Sequence, residues 1–166
     1  MATQKIYETP GSAVTFRGSG GTITLTPQNE GAGKGRISNQ WDRGVGSQPA
    51  RYKWRMRTRW AATAASGDTL RIYLVTSDGT NPDGTLSATD AELTSETPLL
   101  NNCQLIGAVV SAGVSQVEAS SGVCLIHDRY VQAAVWNGSS TKALTNTETD
   151  HILTLIPIPD DIQAAA

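Results

Sequence analysis

One stretch, Arg51-Tyr52-Lys53-Trp54-Arg55-Met56-Arg57-Thr58-Arg59-Trp60, limits what this chain can fold into. Every odd position is cationic, and the even positions are Tyr52, Trp54, Met56, Thr58 and Trp60. Side chains of a β-strand alternate between two faces, so this period separates a basic face from an aromatic one. A helix, with its 3.6-residue period, would mix the two sets around a cylinder. Ten residues at ~3.3 Å each predict a strand of about 33 Å, long enough to cross most of a domain of this size. Neighbouring cations on one face stand ~6.6 Å apart and repel by about 0.6 kcal/mol per pair in water. Leaving the face bare therefore costs about 1–2 kcal/mol after screening. The five cations, Arg51, Lys53, Arg55, Arg57 and Arg59, are the candidate protein-contact residues.

What surrounds that strand points to an all-β chain. The 166 residues include sixteen glycines, with short apolar runs between turn signals. We expect an antiparallel β-sandwich, jelly-roll-like, with long glycine-rich loops. Residues 1–12 read as an N-terminal arm, 13–159 as the sandwich domain and 160–166 as a C-terminal tail. Ala13–Arg17 and Thr22–Thr26 alternate and are joined by Gly18–Gly21, which predicts a hairpin. Residues 28–50 form a polar loop with a short strand at 36–41. Thr69–Thr76 follows the basic strand closely and is expected to be its antiparallel partner, with Leu70, Ile72 and Leu74 facing the core beside Trp54 and Trp60. Thr89-Asp90-Ala91-Glu92 fits a capping box opening a helical turn. Residues 103–110, 114–118, 123–127 and 129–136 are strand-like runs. His151–Ile158 reads as an edge strand because of Pro157 and Pro159.

The charge is split along the chain. Residues 1–71 carry a balance of +7 and residues 72–166 a balance of −9, for a net charge of −2. The two halves can neutralise each other within the fold or present a surface with two signs. The overall acidity weighs against a dedicated nucleic-acid binder. No apolar run is long enough for a membrane helix, and the N-terminal residues lack the apolar centre of a signal peptide, so we expect no membrane association and use without secretion. Cys103 and Cys124 are expected to be free thiols.

The residues ask for no reaction. Gly31–Gly35 resembles a phosphate loop, but Gln28 and Gly35 occupy places that need Gly and Ser or Thr. Asp78, Asn81, Asp83, Gly84 and Asp90 resemble a calcium loop with the wrong first and last ligands, and turns explain them better. His127 and His151, the only histidines, each adjoin an Asp, yet sequence neighbours on a strand face opposite ways. Cys103, Cys124 and the histidines lack the paired spacing of zinc sites. No catalytic, cofactor or metal residue is therefore assigned, and no enzyme is expected.

Three partners suit the basic face: carboxylates of this chain's own acidic half or its Asp160-Asp161 tail, a second protein chain, or phosphate. Tyr52 and the tryptophans face away from it and could not stack on bases.

Several stretches resemble small virion structural proteins of tailed bacteriophages. They are Gly35-Arg36-Ile37-Ser38 with Asp42-Arg43-Gly44, the Arg51–Trp60 strand, Arg71-Ile72-Tyr73-Leu74 with Ser77-Asp78-Gly79-Thr80, Arg129-Tyr130-Val131 with Val135-Trp136-Asn137, and the ending His151–Asp161. The likeness spans roughly residues 35–160. It implies a non-enzymatic β-rich protein that decorates or cements the capsid, made in the host bacterial cytoplasm and located in the virion. Its implied partners are the major capsid protein and further copies of itself, as a homo-oligomer on the particle. A tail or baseplate component and a carbohydrate-binding β-sandwich module are the alternatives.

Overall fold

The computed structural model describes residues 5–8, 11–46, 48–82, 86–158 and 160–163, with the backbone alone for the first and last of these segments. In chain order the strands are β1 (Lys5–Glu8), β2 (Val14–Arg17), β3 (Ile23–Thr24), β4 (Lys34–Ile37), β5 (Trp41–Asp42), β6 (Arg51–Thr58) and β7 (Thr69–Ser77). They continue as β8 (Ala91–Leu93), β9 (Gln104–Val110), β10 (Glu118–Leu125), β11 (Tyr130–Asn137), β12 (Ile152–Pro157) and β13 (Asp160–Gln163). One helix, α1 (Thr97–Asn102), precedes β9. The chain is a β-sandwich of jelly-roll type. One sheet has the order β10-β6-β12-β2-β3, the other β8-β4-β11-β7-β9 with β5 beside β11. The arm and the tail meet in a separate two-stranded ribbon, β1 against β13. Residues 1–4, 9–10 and 164–166, together with Asp83, Gly84 and Pro159 of the motifs above, lie outside the described residues.

The basic strand folds as its alternation requires. Tyr52, Trp54, Met56 and Thr58 are buried, whereas Lys53 and Arg55 are exposed and Arg51 and Arg57 half-buried. It is two residues shorter than expected, and Trp60 beyond it makes a lone bridge to Leu144. Across the sandwich the aromatic row meets Leu70, Ile72 and Leu74 of β7 and Val131, Ala133 and Val135 of β11, while Phe16, Leu153 and Leu155 flank it. Removing such large apolar side chains from water is the main stabilising term for the fold.

Five expectations need correction. First, β7 is not the ladder partner of β6: residues 61–68 arch across the end of the sandwich with Ala64 buried, and place β7 in the opposite sheet. Second, β2 and β3 do not form a hairpin but pair in parallel, Phe16 opposite Ile23, because the turn at Gly18–Gly21 swings the chain back alongside β2. Third, β12 is an interior strand between β6 and β2. Pro157 is tolerated there because it is the last residue of the ladder, where its carbonyl accepts from Gly11 N–H at 2.9 Å. Fourth, residues 91–93 extend as β8 against β4, and the helix starts later, at Thr97. Fifth, residues 114–118 and 123–127 are not two strands. A single β10 runs from Glu118 through Gly122 and pairs along its whole length with β6.

The outer face of the six-stranded sheet is roofed. Tyr73, Val75, Ala134, Trp136 and Ile37 point outward from it and are covered by Leu93 and Leu99, with Leu86, Ala91 and Cys103 at the margin. This second core is why β11 is buried on both faces and reads as a mostly apolar run with Gln132 inside it. Polar ties hold the roof down. Glu96 accepts from Tyr73 Oη at 2.6 Å and pairs with Arg71 at 3.0 Å, whereas Asp90, paired with Arg36 at 2.7 Å, and Glu92, paired with Lys34, close the β4–β8 edge on the inner side of the sheet. Gln132, fully buried, donates its amide to the Ser87 carbonyl at 2.9 Å.

Asn137 ends β11 as a buried hub. Its amide nitrogen donates to the carbonyls of Glu30, Gly31 and Lys142, and its oxygen accepts from Trp60 Nε1 at 3.1 Å and from Ser139 N–H at 3.2 Å. Full burial removes the Asn137-Gly138-Ser139 sequon from the surface. Arg43 plays a similar part at the other end. Its guanidinium donates to the carbonyls of Pro49, Ile126 and Asp128 and lies 5.2 Å from the centre of the Tyr52 ring.

Candidate functional site

The residues singled out for chemistry stay apart. His127 is exposed on the loop after β10, and His151 is buried between β6 and the segment before β12. The His151 ring lies 2.9 Å from Thr58 Oγ1 through Nδ1 and 3.0 Å from the Thr145 carbonyl through Nε2. A carbonyl can only accept, so Nε2 carries the proton and Nδ1 accepts from the Thr58 hydroxyl. Burial holds this histidine below its usual pKa, in keeping with a neutral ring. The Asp150 carboxylate accepts from Thr145 Oγ1 at 3.1 Å. Cys103 and Cys124 are not bridged to each other, and burial pushes the Cys124 thiol up to about 11, away from nucleophilic use.

The ion-site resemblance dissolves into local structure. Asp78 accepts from the N–H groups of Thr80 and Asn81, both at 2.7 Å, an Asx turn that holds its carboxyl below the usual range. Asp90 is occupied by Arg36 and by Thr26 N–H. Among the described residues no cluster of three metal-ligating side chains occurs, and no helix is long and apolar enough to cross a membrane. Gly31–Gly35 is the turn that leads into β4.

The basic face is built by three adjacent strands. Lys53 stands between Val123 of β10 and Ile156 of β12, Arg55 between Ser121 and Thr154, and Arg57 between Ala119 and Ile152. Arg51 stands beside Leu125. The outer surface thus carries a central cationic row between two uncharged ones. Val123 and Leu125 are 59% and 51% exposed, high values for aliphatic side chains. Small residues near Arg55 leave a shallow hollow on each side of it. One is lined by Lys53, Arg55, Ala119, Ser120 and Ser121, the other by Arg55, Arg57, Ile152 and Thr154, with volumes of about 340 and 220 Å³.

Elsewhere five described cations have carboxylate partners. Arg17 pairs with Glu148 at 3.2 Å, Arg36 with Asp90, Arg71 with Glu96, Lys34 with Glu92, and Arg129 with Asp42 at 2.7 Å. On the face itself, no carboxylate among the described residues lies within 4.0 Å of Lys53, Arg55, Arg57 or Arg59. Arg57 donates to the Thr149 carbonyl, a neutral partner. Of the acidic half, Glu96 lies over the outer face of the other sheet, where it pairs with Arg71, whereas Asp90 and Glu92 pair with Arg36 and Lys34 at the β4–β8 edge of that sheet. Gly122, a residue type that weakens strands, hides the flanking row of β10 in the sequence. The alternation Ala119-x-Ser121-x-Val123-x-Leu125 was the available signal.

The tryptophans are not displayed. Trp54, Trp60 and Trp136 are buried, and Trp41 packs edge-on against Phe16 and Tyr52 with ring centres 6.1 and 6.0 Å away. No aromatic platform of the kind that stacks on sugar rings is formed by these four side chains.

No family model matches the chain, and no curated protein matches it. Solved structures similar to it include murine APRIL at pH 8.0, with 9% identity, a TM-score of 0.42, and coverage of 87% of this chain and 97% of that one. Murine APRIL at pH 5.0 matches over 73% of this chain and 72% of that one, again at 9% identity, with a TM-score of 0.38. A Clostridium thermocellum endo-1,4-beta-D-xylanase 10B fragment comprising CBM22-1 and GH10 modules, complexed with xylohexaose, is 13% identical, with a TM-score of 0.38. That match covers 93% of this chain and 27% of the xylanase chain.

Proposed function

We propose that this protein is a non-enzymatic structural component of a tailed-bacteriophage virion, a capsid decoration or cement protein that binds the head shell through its basic sheet face. The observation that carries the reading is the contrast between the two sheets. One outer face is roofed by the chain itself, with its Arg71 paired to Glu96, while the other presents Lys53, Arg55 and Arg57 without a carboxylate among the described residues. A repelling row of that kind is stabilised by a partner of opposite charge. The resemblance of residues 35–160 to virion proteins supplies the identity of that partner, the major capsid protein. Neighbouring copies on the shell are the second contact, in line with the symmetric repetition of such assemblies. No catalytic residue, cofactor or membrane takes part in this reading.

The test is direct. Labelled protein is titrated onto purified expanded heads, and saturation at a fixed ratio to the shell protein is expected. Arg55→Glu combined with Arg57→Glu is expected to abolish that binding while leaving the isolated domain folded. Absence of head binding together with co-purification with tails would move the protein to the tail or baseplate. Full head binding by the double variant, with lost thermal stability, would return the cations to a role inside the fold.

A further inference from the structure

The chemistry of the partner can be taken one step further. We infer that the face receives an extended, glutamate-bearing segment of another protein, with carboxylates at alternate positions over Lys53, Arg55 and Arg57. The inference rests on the reading of this face as the contact surface.

Spacing is the first argument. The three cations are successive same-face residues of one strand, so they repeat every ~6.6 Å, and alternate residues of an extended segment repeat at the same distance. A segment lying along β6 can therefore bring one carboxylate to each cation without strain. The surroundings of Arg55 are the second. Small residues beside it, Ser121 and Thr154 among them, leave the two hollows open. A carboxylate can enter and meet the guanidinium fork side-on, the geometry that makes Arg–carboxylate pairs bidentate. The third argument concerns the flanks. Val123, Ile156 and Ile152 border Lys53 and Arg57, and a glutamate brings methylenes that cover such side chains as well as a charge that pairs.

A phosphate polymer fits less well. Its backbone is charged at every unit and covers Val123 and Leu125 poorly, and the aromatic side chains of β6, Tyr52 and Trp54, point into the core, where no base can stack on them.

The probe is a labelled, end-capped synthetic peptide that alternates Glu with Thr, titrated with the full chain at low salt and followed by fluorescence anisotropy. Two competitors are used: a peptide of the same composition with its glutamates in one block, and a single-stranded DNA oligonucleotide of equal charge. We expect the alternating peptide to bind at least about tenfold more tightly than either competitor. Lys53→Gln with Arg55→Gln is expected to remove that preference. Equal affinity for the three ligands, tighter binding of the oligonucleotide, no binding of the alternating peptide, or binding that ignores the double substitution would each overturn the inference. The head titration separates this from the virion reading. Heads bound normally without competition by the peptide would sink the inference alone. Peptide binding by a protein that ignores heads would sink the virion reading alone.

Discussion

Gly107 of β9 lies directly against the indole of Trp54, so closely that a methyl group on its Cα would come within 2.2 Å of Cζ2. Gly122 of β10 stands against the same ring, and a methyl there would be 2.8 Å from Nε1. The side of the sandwich where the two sheets end is therefore closed by one tryptophan between two bare backbones. Gly107→Ala is expected to destabilise the fold by about 2–3 kcal/mol, and Gly122→Ala by about 1–2, as overpacking of a filled core does. Chemical denaturation of the two single variants and the double variant measures this. A sub-additive double would show that one shift of Trp54 relieves both clashes.

Asn137 should tolerate no replacement. Asn137→Ala leaves the Trp60 N–H and three carbonyls with a partner missing, and a loss of about 3–4 kcal/mol is expected. Asn137→Asp, although nearly the same shape, turns a donor toward those carbonyls into a carboxylate and is expected to be at least as damaging. Thermal melts of both variants are the check. An Asp variant as stable as the parent would mean that the hub is not read by its amide.

Neutralising the basic row should do the opposite. Lys53→Gln with Arg55→Gln removes three repulsive neighbour contacts and is expected to raise stability by about 0.5–1 kcal/mol at low salt, with the gain vanishing at high salt. A loss of stability in denaturant titrations would show that these side chains are held from within.

Stability should also depend on pH through Glu30. Only 6% exposed, its carboxyl is pushed up to about 7, first by burial and then by Glu92, against the pull of Arg36. The folded state thus favours the protonated form. The stability that this group contributes is complete below its ordinary value of 4.5 and is lost as pH rises to about 7, a change of up to about 3 kcal/mol. His151 works the other way: held below its ordinary 6.5, its contribution is present above that value and declines as the solution is acidified. Glu30→Gln should abolish the alkaline decline and leave the histidine limb visible. Urea midpoints between pH 4.5 and 7.5 decide it, and an unchanged pH profile in Glu30→Gln would rule the carboxyl out.

The elements whose residues alternate were legible in the sequence, and their neighbours were not. Tyr52, Trp54 and Met56 announced a core face because period two cannot be satisfied by a helix. The run 129–136 also reads as a strand. Which strands lie side by side is a different matter, because it depends on where the turns send the chain. Gly18–Gly21 looks like a hairpin loop but leads to a parallel pair, and the arch at 61–68 looks like one but changes sheets. Pro157 misled because a proline excludes only an N–H ladder bond, which the final residue of β12 does not need. The charged row of the candidate face was visible in one strand. Its uncharged flanks became visible only when β10 and β12 were found on either side.

The roof over the six-stranded sheet has a geometric consequence for any assembly. Two stacked sheets alone would offer similar backs to the world, but covering one of them gives the sandwich a top and a bottom. When the bare face is seated, the stretch between β8 and α1, with Thr94 and Ser95 exposed, stands on the far side, beyond both sheets and the roof core. A peptide epitope grafted between those two residues would therefore be displayed outward on every copy, and every copy would point the same way.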